Sequence, residues 1–137
     1  MAVLATLGFG SCTTYGSDNG TLDGFWYLQQ IDTLSTGSQT DVHERRIFWS
    51  YIGSLMQTET TGGAQYIYRF DHSNTQLRVY DPYENIHASD QKVTADSLDM
   101  LRPMGINALD ETFSVEVLNE DEMVLRGTML RLHFIKY

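Results

Sequence analysis

Apolar and polar residues alternate with a period of two along much of this chain. Ala64, Tyr66, Tyr68 and Phe70 alternate with Gln65, Ile67 and Arg69. Phe113, Val115 and Val117 alternate with Thr112, Ser114 and Glu116, and Leu130, Leu132 and Phe134 with Arg131 and His133. Side chains on a strand point to opposite faces in turn, so this pattern predicts strands with one face on a core. β-branched and aromatic residues are concentrated in the same runs, as strands prefer. An earlier run sets Phe25, Tyr27 and Ile31 against Trp26, Leu28 and Gln30, a more mixed face. Turn signals at Thr61-Gly62-Gly63, Asp71-His72-Ser73-Asn74, Asn119-Glu120-Asp121 and Arg126-Gly127-Thr128 separate neighbouring runs by a few residues. Connections this short join antiparallel neighbours. The predicted strands are 24–32, 42–50, 53–60, 64–71, 75–81, 112–118, 122–126 and 129–136. Near Tyr51-Ile52-Gly53 no strong turn intervenes, which allows the second and third runs to be one bent strand with Gly53 at the bend. Short strands joined by hairpins make an all-β chain, either an up-and-down barrel or a sandwich.

One connection breaks the rhythm, from Pro82 to Glu111 between the fifth and sixth predicted strands. Within it, residues 94–101 suit a short helix, with Thr94 as N-cap and Asp96 at the positive end of the dipole. Pro103 and Gly105 then stop it. Leu98, Leu101, Met104 and Ile106 are too many apolar residues for a free loop. They predict a lid folded over one end of the core, with Asp90, Asp96 and Asp99 facing water.

The first twelve residues differ from the rest. Val3-Leu4-Ala5-Thr6-Leu7-Gly8-Phe9 runs into Gly10-Ser11-Cys12, and Cys12 is the only cysteine. Small residues followed by Cys after an apolar stretch resemble the lipobox of bacterial lipoproteins. The resemblance implies cleavage before Cys12 and a diacylglyceryl group on its sulfur. On this reading residues 1–11 are the remnant of a signal peptide, 12–21 a polar tether and 22–137 the folded domain. The protein would then sit in the bacterial cell envelope, anchored to the outer membrane by lipid. The run of Thr, Ser, Gly, Asp and Asn after Cys12 suits a tether better than a strand entering a core.

Composition narrows the chemistry. The net charge is −9, and eleven of the eighteen acidic residues lie between Asp81 and Glu122, beside only Lys92 and Arg102. Such a surface repels a phosphate backbone, which argues against nucleic-acid binding. A single cysteine allows no disulfide within the chain. His43, His72, His87 and His133 lie too far apart in sequence to suggest a metal site. No phosphate-binding loop, nucleophile elbow or dinucleotide fingerprint occurs. The reading is therefore non-enzymatic, with no cofactor and no catalytic residue.

Gly24-Phe25-Trp26 opens the first strand, and Gly-x-Trp there resembles the first signature of the lipocalins and their calycin relatives. That resemblance implies an eight-stranded barrel with the Trp closing one end under a basic residue from the last strands. Trp26 with Arg126 or Arg131 would be this plug, a cation resting on an indole face. The chain also looks like lipocalin-like lipoproteins of the Bacteroidetes, most of them of unknown function. The shared features are Leu22-x-Gly24-x-Trp26, Ile47-Phe48-Trp49, Leu101-x-Pro103-x-Gly105-Ile106 and the closing Leu130–Tyr137 strand. The Thr-Asp-Tyr motif of the secreted lipocalins, before their seventh strand, is absent.

Two functions fit this architecture. In the first, the barrel binds a small hydrophobic ligand, held by Trp49, Tyr51, Tyr66, Tyr68 and Phe70 with Leu101 and Met104 from the lid. Tyr hydroxyls would supply polar handles. In the second, the same aromatics simply fill the barrel, and the protein acts as a structural or interaction lipoprotein with an unidentified protein partner. An open cavity favours the first; a filled interior with an exposed apolar patch favours the second.

Overall fold

The computed structural model describes residues 19–86 and 89–137. Ten strands follow in chain order: β1 (Gly24–Thr33), β2 (Ser38–Asp41), β3 (Ile47–Ile52), β4 (Leu55–Thr60), β5 (Gln65–His72), β6 (Gln76–Glu84), β7 (Gln91–Lys92), β8 (Asp110–Leu118), β9 (Glu122–Arg126) and β10 (Leu130–Lys136). All pairings are antiparallel. Leaving aside the short strands β2 and β7, each paired to one neighbour, eight strands run β10-β9-β8-β6-β5-β4-β3-β1. Pairing of β1 with β10 closes the ring. This is a closed eight-stranded antiparallel β-barrel. Closure removes the free edges that an open sheet would expose.

The strands differ from expectation in two informative places. Residues 43–45 form a 3₁₀ turn, Arg46 takes a left-handed conformation (φ 56°), and β3 begins only at Ile47. No bent strand spans Gly53. Gly53 and Ser54 form a tight hairpin turn between Ile52 and Leu55, with Gly53 at φ 61° supplying the left-handed step. The mixed face of the first run also has a cause. A bulge between Leu28 and Gln30 reverses the parity of β1. Trp26 and Leu28 point inward before it and Ile31 after it, so no single period-two reading fits the whole strand.

Two caps close the barrel. At the end where β1 starts, a 3₁₀ turn at Gly20–Leu22 lies beneath Trp26, whose Nε1 donates to the Leu22 carbonyl at 2.9 Å. At the other end, the segment after β7 folds inward as two consecutive 3₁₀ turns, Ala95–Met100 and Arg102–Met104. At its start the Thr94 amide donates to Ser97 Oγ at 3.0 Å and the Ser97 amide to the Thr94 carbonyl at 3.0 Å. Leu101, Met104 and Ile106 are buried, and Leu98 packs partly buried against the same core. The core is therefore the barrel interior plus this inserted segment. Among the described residues no helix is long and apolar enough to cross a membrane.

Candidate functional site: the filled barrel and its lid

Trp49 organises the interior. It is fully buried on β3, with its ring centroid 4.9 Å from Phe134 and 5.8 Å from Phe113. Its Nε1 donates to the backbone carbonyl of Met104 at 2.9 Å, a bond that spans 55 positions of sequence and ties lid to barrel. Gly105 must be glycine here. Its φ is +96°, and a Cβ would meet Leu132 at 3.0 Å. The Pro103-Met104-Gly105 turn thus lets the lid backbone approach the Trp49 ring and Leu132 closely.

The seven residues assigned to a ligand from the sequence do converge. Trp49, Tyr51, Tyr66, Tyr68, Phe70, Leu101 and Met104 all belong to one buried cluster. They are in contact with the rest of the core, not around an open chamber: the grooves that stand out open to the outside, such as one of about 290 Å³ beside Leu55, Ile67, Arg69 and Asp81. Leu101, Met104 and Ile106 occupy the space beside Trp49. Sequence reasoning had not assigned Val93, Phe113 and Phe134 to the site, although Phe113 and Phe134 stood on the alternating faces that mark inward positions.

Interior hydroxyls differ in their partners. Tyr68 and Thr58 are both buried and share a hydrogen bond of 2.8 Å. Burial raises the Tyr68 phenol well above its usual range, with the Thr58 bond opposing. Tyr51, fully buried and edge-on to Phe70 at 5.2 Å, has a hydroxyl with no hydrogen-bond partner among the described residues, and burial raises its pKa too. Both phenols are therefore neutral at any physiological pH, and the interior carries no charge from them.

The cation over Trp26 is neither Arg126 nor Arg131. It is Lys136, whose Nζ lies 4.4 Å from the indole centroid. Trp26 and Lys136 face each other in the β1–β10 register. The reason is parity: Leu132, Phe134 and Lys136 share the inward face of β10, while Arg131 points outward. The signal was present in the sequence as the next step of the Leu130-Leu132-Phe134 row. Lys136 Nζ also donates to the carbonyls of Thr21 (3.2 Å) and Asp23, stitching the Gly20–Leu22 cap to the last strand. Burial pushes the Lys136 pKa down, so holding the charge has a cost that the indole face and the carbonyls offset. Lys136→Met should therefore cost about 1–2 kcal/mol in urea titration, while Arg126→Met on the exposed outer face stays within about 0.5 kcal/mol. Equal effects of the two substitutions would remove Lys136 from this role.

Arg131 instead joins an outer polar network. Its Nε donates to Glu116 at 2.7 Å, and a guanidinium nitrogen lies 4.0 Å from Asp32. Asp32, almost buried, also bonds His133 Nε2 at 2.8 Å and accepts from Gln30 at 2.7 Å. Burial alone would raise the Asp32 pKa. The bonds from His133 and Gln30 and the charges of His133 and Arg131 outweigh it and leave the carboxyl below its ordinary value. A depressed carboxyl pKa stabilises the fold above the unfolded-state value and loses that contribution as pH falls through the folded-state value. The stability gap between the wild type and Asp32→Asn should thus be full near pH 6 and close as pH falls below about 4. A gap independent of pH would show that the ionised carboxylate contributes nothing.

A closed antiparallel barrel, capped by a Trp–Lys stack at one end and an inserted turn at the other, defines a lipocalin-like protein. The model of the lipocalin-like domain family matches residues 5–137, and the chain belongs to that family. Three solved structures share the fold. A lipocalin-like protein from Bacteroides uniformis is 17% identical, with a TM-score of 0.64 over 86% of this chain and 100% of that one. An uncharacterized protein from Bacteroides eggerthii is 16% identical, with a TM-score of 0.62 over 85% and 99%. A protein from Burkholderia xenovorans is 16% identical, with a TM-score of 0.57 over 85% and 83%. No curated protein matches the chain. Cys12, the assigned lipidation site, lies outside the described residues.

Proposed function

We propose that this protein is a lipid-anchored, non-enzymatic binding module of the cell envelope that takes up a small hydrophobic ligand in its barrel. The lid is the barrel's resident occupant and gives way to that ligand. One observation carries the reading: the lid fills the barrel with side chains but does not join its sheet. The backbone hydrogen bonds of residues 97–106 run within the segment, from Ser97 to Thr94, Leu101 to Leu98, Met104 and Ile106 to Leu101, and Gly105 to Arg102. Among the described residues its side-chain tie to the barrel wall is the Trp49–Met104 bond, with the next residue, Asn107, donating its amide to Glu111 Oε1 on β8 at 2.7 Å. Withdrawing Leu101, Met104 and Ile106 would break no strand pairing and would open an apolar space floored by Trp49. Binding in a family built on this barrel supports the same direction, and the lipobox-like Gly10-Ser11-Cys12 supports the anchor.

A second reading is favoured by the burial of every assigned ligand residue. In it the filled barrel is permanent, and the protein serves an envelope complex through its outer surface.

Titration of a Trp26→Phe variant, which leaves Trp49 as the sole indole, with oleate and with pyrene separates the two. Saturable change in Trp49 emission supports the binding module. An emission unchanged by either probe, in protein shown to be folded, supports the permanent core. Anchoring is tested apart from this: with a complete signal in a bacterial host, the wild type should partition with membranes and Cys12→Ser should not.

A further inference from the structure

The outer surface near the start of β1 carries apolar side chains that no other described residue covers. Ile52 and Leu55, 64% and 46% exposed, are directly paired across the Gly53–Ser54 turn and form the tip of the β3–β4 hairpin. Phe25, 44% exposed on the adjoining strand, lines with them and Ile67 an open, mostly apolar groove of about 250 Å³. Tyr137, 72% exposed, stands next to Phe25 and donates its amide to the Phe25 carbonyl at 3.0 Å. Single exposed apolar residues are ordinary on a protein surface; a contiguous group at a projecting tip is not.

The same tip holds the start of the described chain. Asn19 Nδ2 donates to the Gly53 carbonyl at 2.9 Å and to Asp23 Oδ1 at 2.7 Å. Cys12 lies seven residues before Asn19, so even a fully extended chain puts the two within about 25 Å. A lipid on Cys12 would therefore tether the barrel by this end, which lies nearer the anchor than the lid end by the height of the barrel, roughly 20–25 Å once strand tilt is allowed for.

We propose that Phe25, Ile52, Leu55 and Tyr137 form a membrane-resting face, seating the barrel tip-down on the lipid surface with the lid pointing away. The inference rests on lipidation of Cys12. The chemistry suits a lipid interface. Two aliphatic side chains project from a narrow turn, and a tyrosine at the flank has an apolar ring and a polar hydroxyl. Acidic groups lie near the face, since the Lys136 amide donates to the Asp121 carbonyl at 2.8 Å and Asp81 flanks Leu55, so the face suits a zwitterionic bilayer and not an anionic one. The orientation would leave Leu101, Met104 and the lid mouth free for a ligand arriving from the aqueous side.

The test uses lipidated full-length protein in phosphatidylcholine vesicles carrying a nitroxide-labelled lipid. Lipid occupies the Cys12 thiol, so Leu55→Cys or Met129→Cys each supplies one site for an environment-sensitive fluorophore. Met129 is similarly exposed (52%) and sits beyond the far end of β1, its carbonyl accepting from Leu34. The expected result is emission at position 55 several-fold above that at 129 in vesicles without the nitroxide, lost when the nitroxide lipid is included, with 129 as in water in both. Vesicle-bound protein in which 55 is quenched no more than 129 would overturn the face while leaving the anchor standing. Protein that fails to bind vesicles would overturn the anchor and the face together. A Cys12→Ser version in which the label at 55 is shielded without vesicles, increasingly with concentration, would assign the face to a second copy of the chain. Unlabelled lipidated protein gives an independent reading, with hairpin amides 50–57 expected to exchange about tenfold more slowly on vesicles than in the Cys12→Ser protein in solution.

Discussion

Trp49→Ala should lower the stability of the barrel by about 3–5 kcal/mol, the cost of deleting a large buried aromatic. Small domains hold only about 5–15 kcal/mol in total, so this single change removes a fifth or more. The size follows from what Trp49 joins. Its ring packs on Phe134 of β10, two strands away, and on Phe113 of β8 across the barrel, and its Nε1 holds the Met104 carbonyl. Truncation therefore opens a cavity and frees the lid in one step. Trp49→Phe separates the two contributions. It keeps most of the packing but leaves the Met104 carbonyl without its partner, which costs about 1–3 kcal/mol. Denaturant titration should find both variants destabilised, the alanine more. An alanine variant within about 1 kcal/mol of wild type would mean that Trp49 does not organise the core.

Leu101→Ala has the second largest expected effect, about 2–5 kcal/mol, because Leu101 is fully buried although it comes from a connection and not from a strand. On an unattached loop the same substitution would fall within about 0.5 kcal/mol. The comparison with Met100→Ala is direct, since Met100 is adjacent in sequence and exposed on the outer side of the same turn. A large loss at 101 and almost none at 100 is the expected pair. Comparable losses at the two positions would contradict the inserted geometry.

Most of the barrel was legible because its alternation is a direct image of the pleat. From β4 onward the predicted strands lie within three residues of the observed ones, since turn signals such as Thr61-Gly62-Gly63 bound them on both sides. The errors have local causes. The Arg46 kink is a left-handed step at a residue that seldom takes it, so nothing in the sequence marks it. The bulge at Gln29 hides in a run of residues that all tolerate either face. The Gly53–Ser54 hairpin lacks the Asn-Gly or Asp-Gly pair that usually announces such a turn. The candidate site was legible as a set of residues but not as a state. Period two identifies which aromatics point inward. Whether they line a chamber or fill it depends on how far Leu101, Met104 and Ile106 descend, and that depth is set by Gly105 and the Trp49–Met104 bond across distant sequence. The plug shows the same limit. The resemblance to the lipocalins implies a basic partner for Trp26, with Arg126 and Arg131 as candidates, but its identity as Lys136 follows only from extending the inward row of β10 and fixing the β1–β10 register.

The central claim is that the lid is a docked occupant of the barrel and leaves when a hydrophobic ligand enters. Amide hydrogen exchange at Leu101, Met104, Gly105 and Ile106, followed with and without saturating oleate, tests it most directly. Their local hydrogen bonds and burial predict slow exchange in the free protein, and displacement predicts marked acceleration at these four amides on ligand binding while β1 and β10 stay protected. Fast exchange in the free protein would contradict the docked lid. Slow exchange that persists while oleate is demonstrably bound would contradict the displacement.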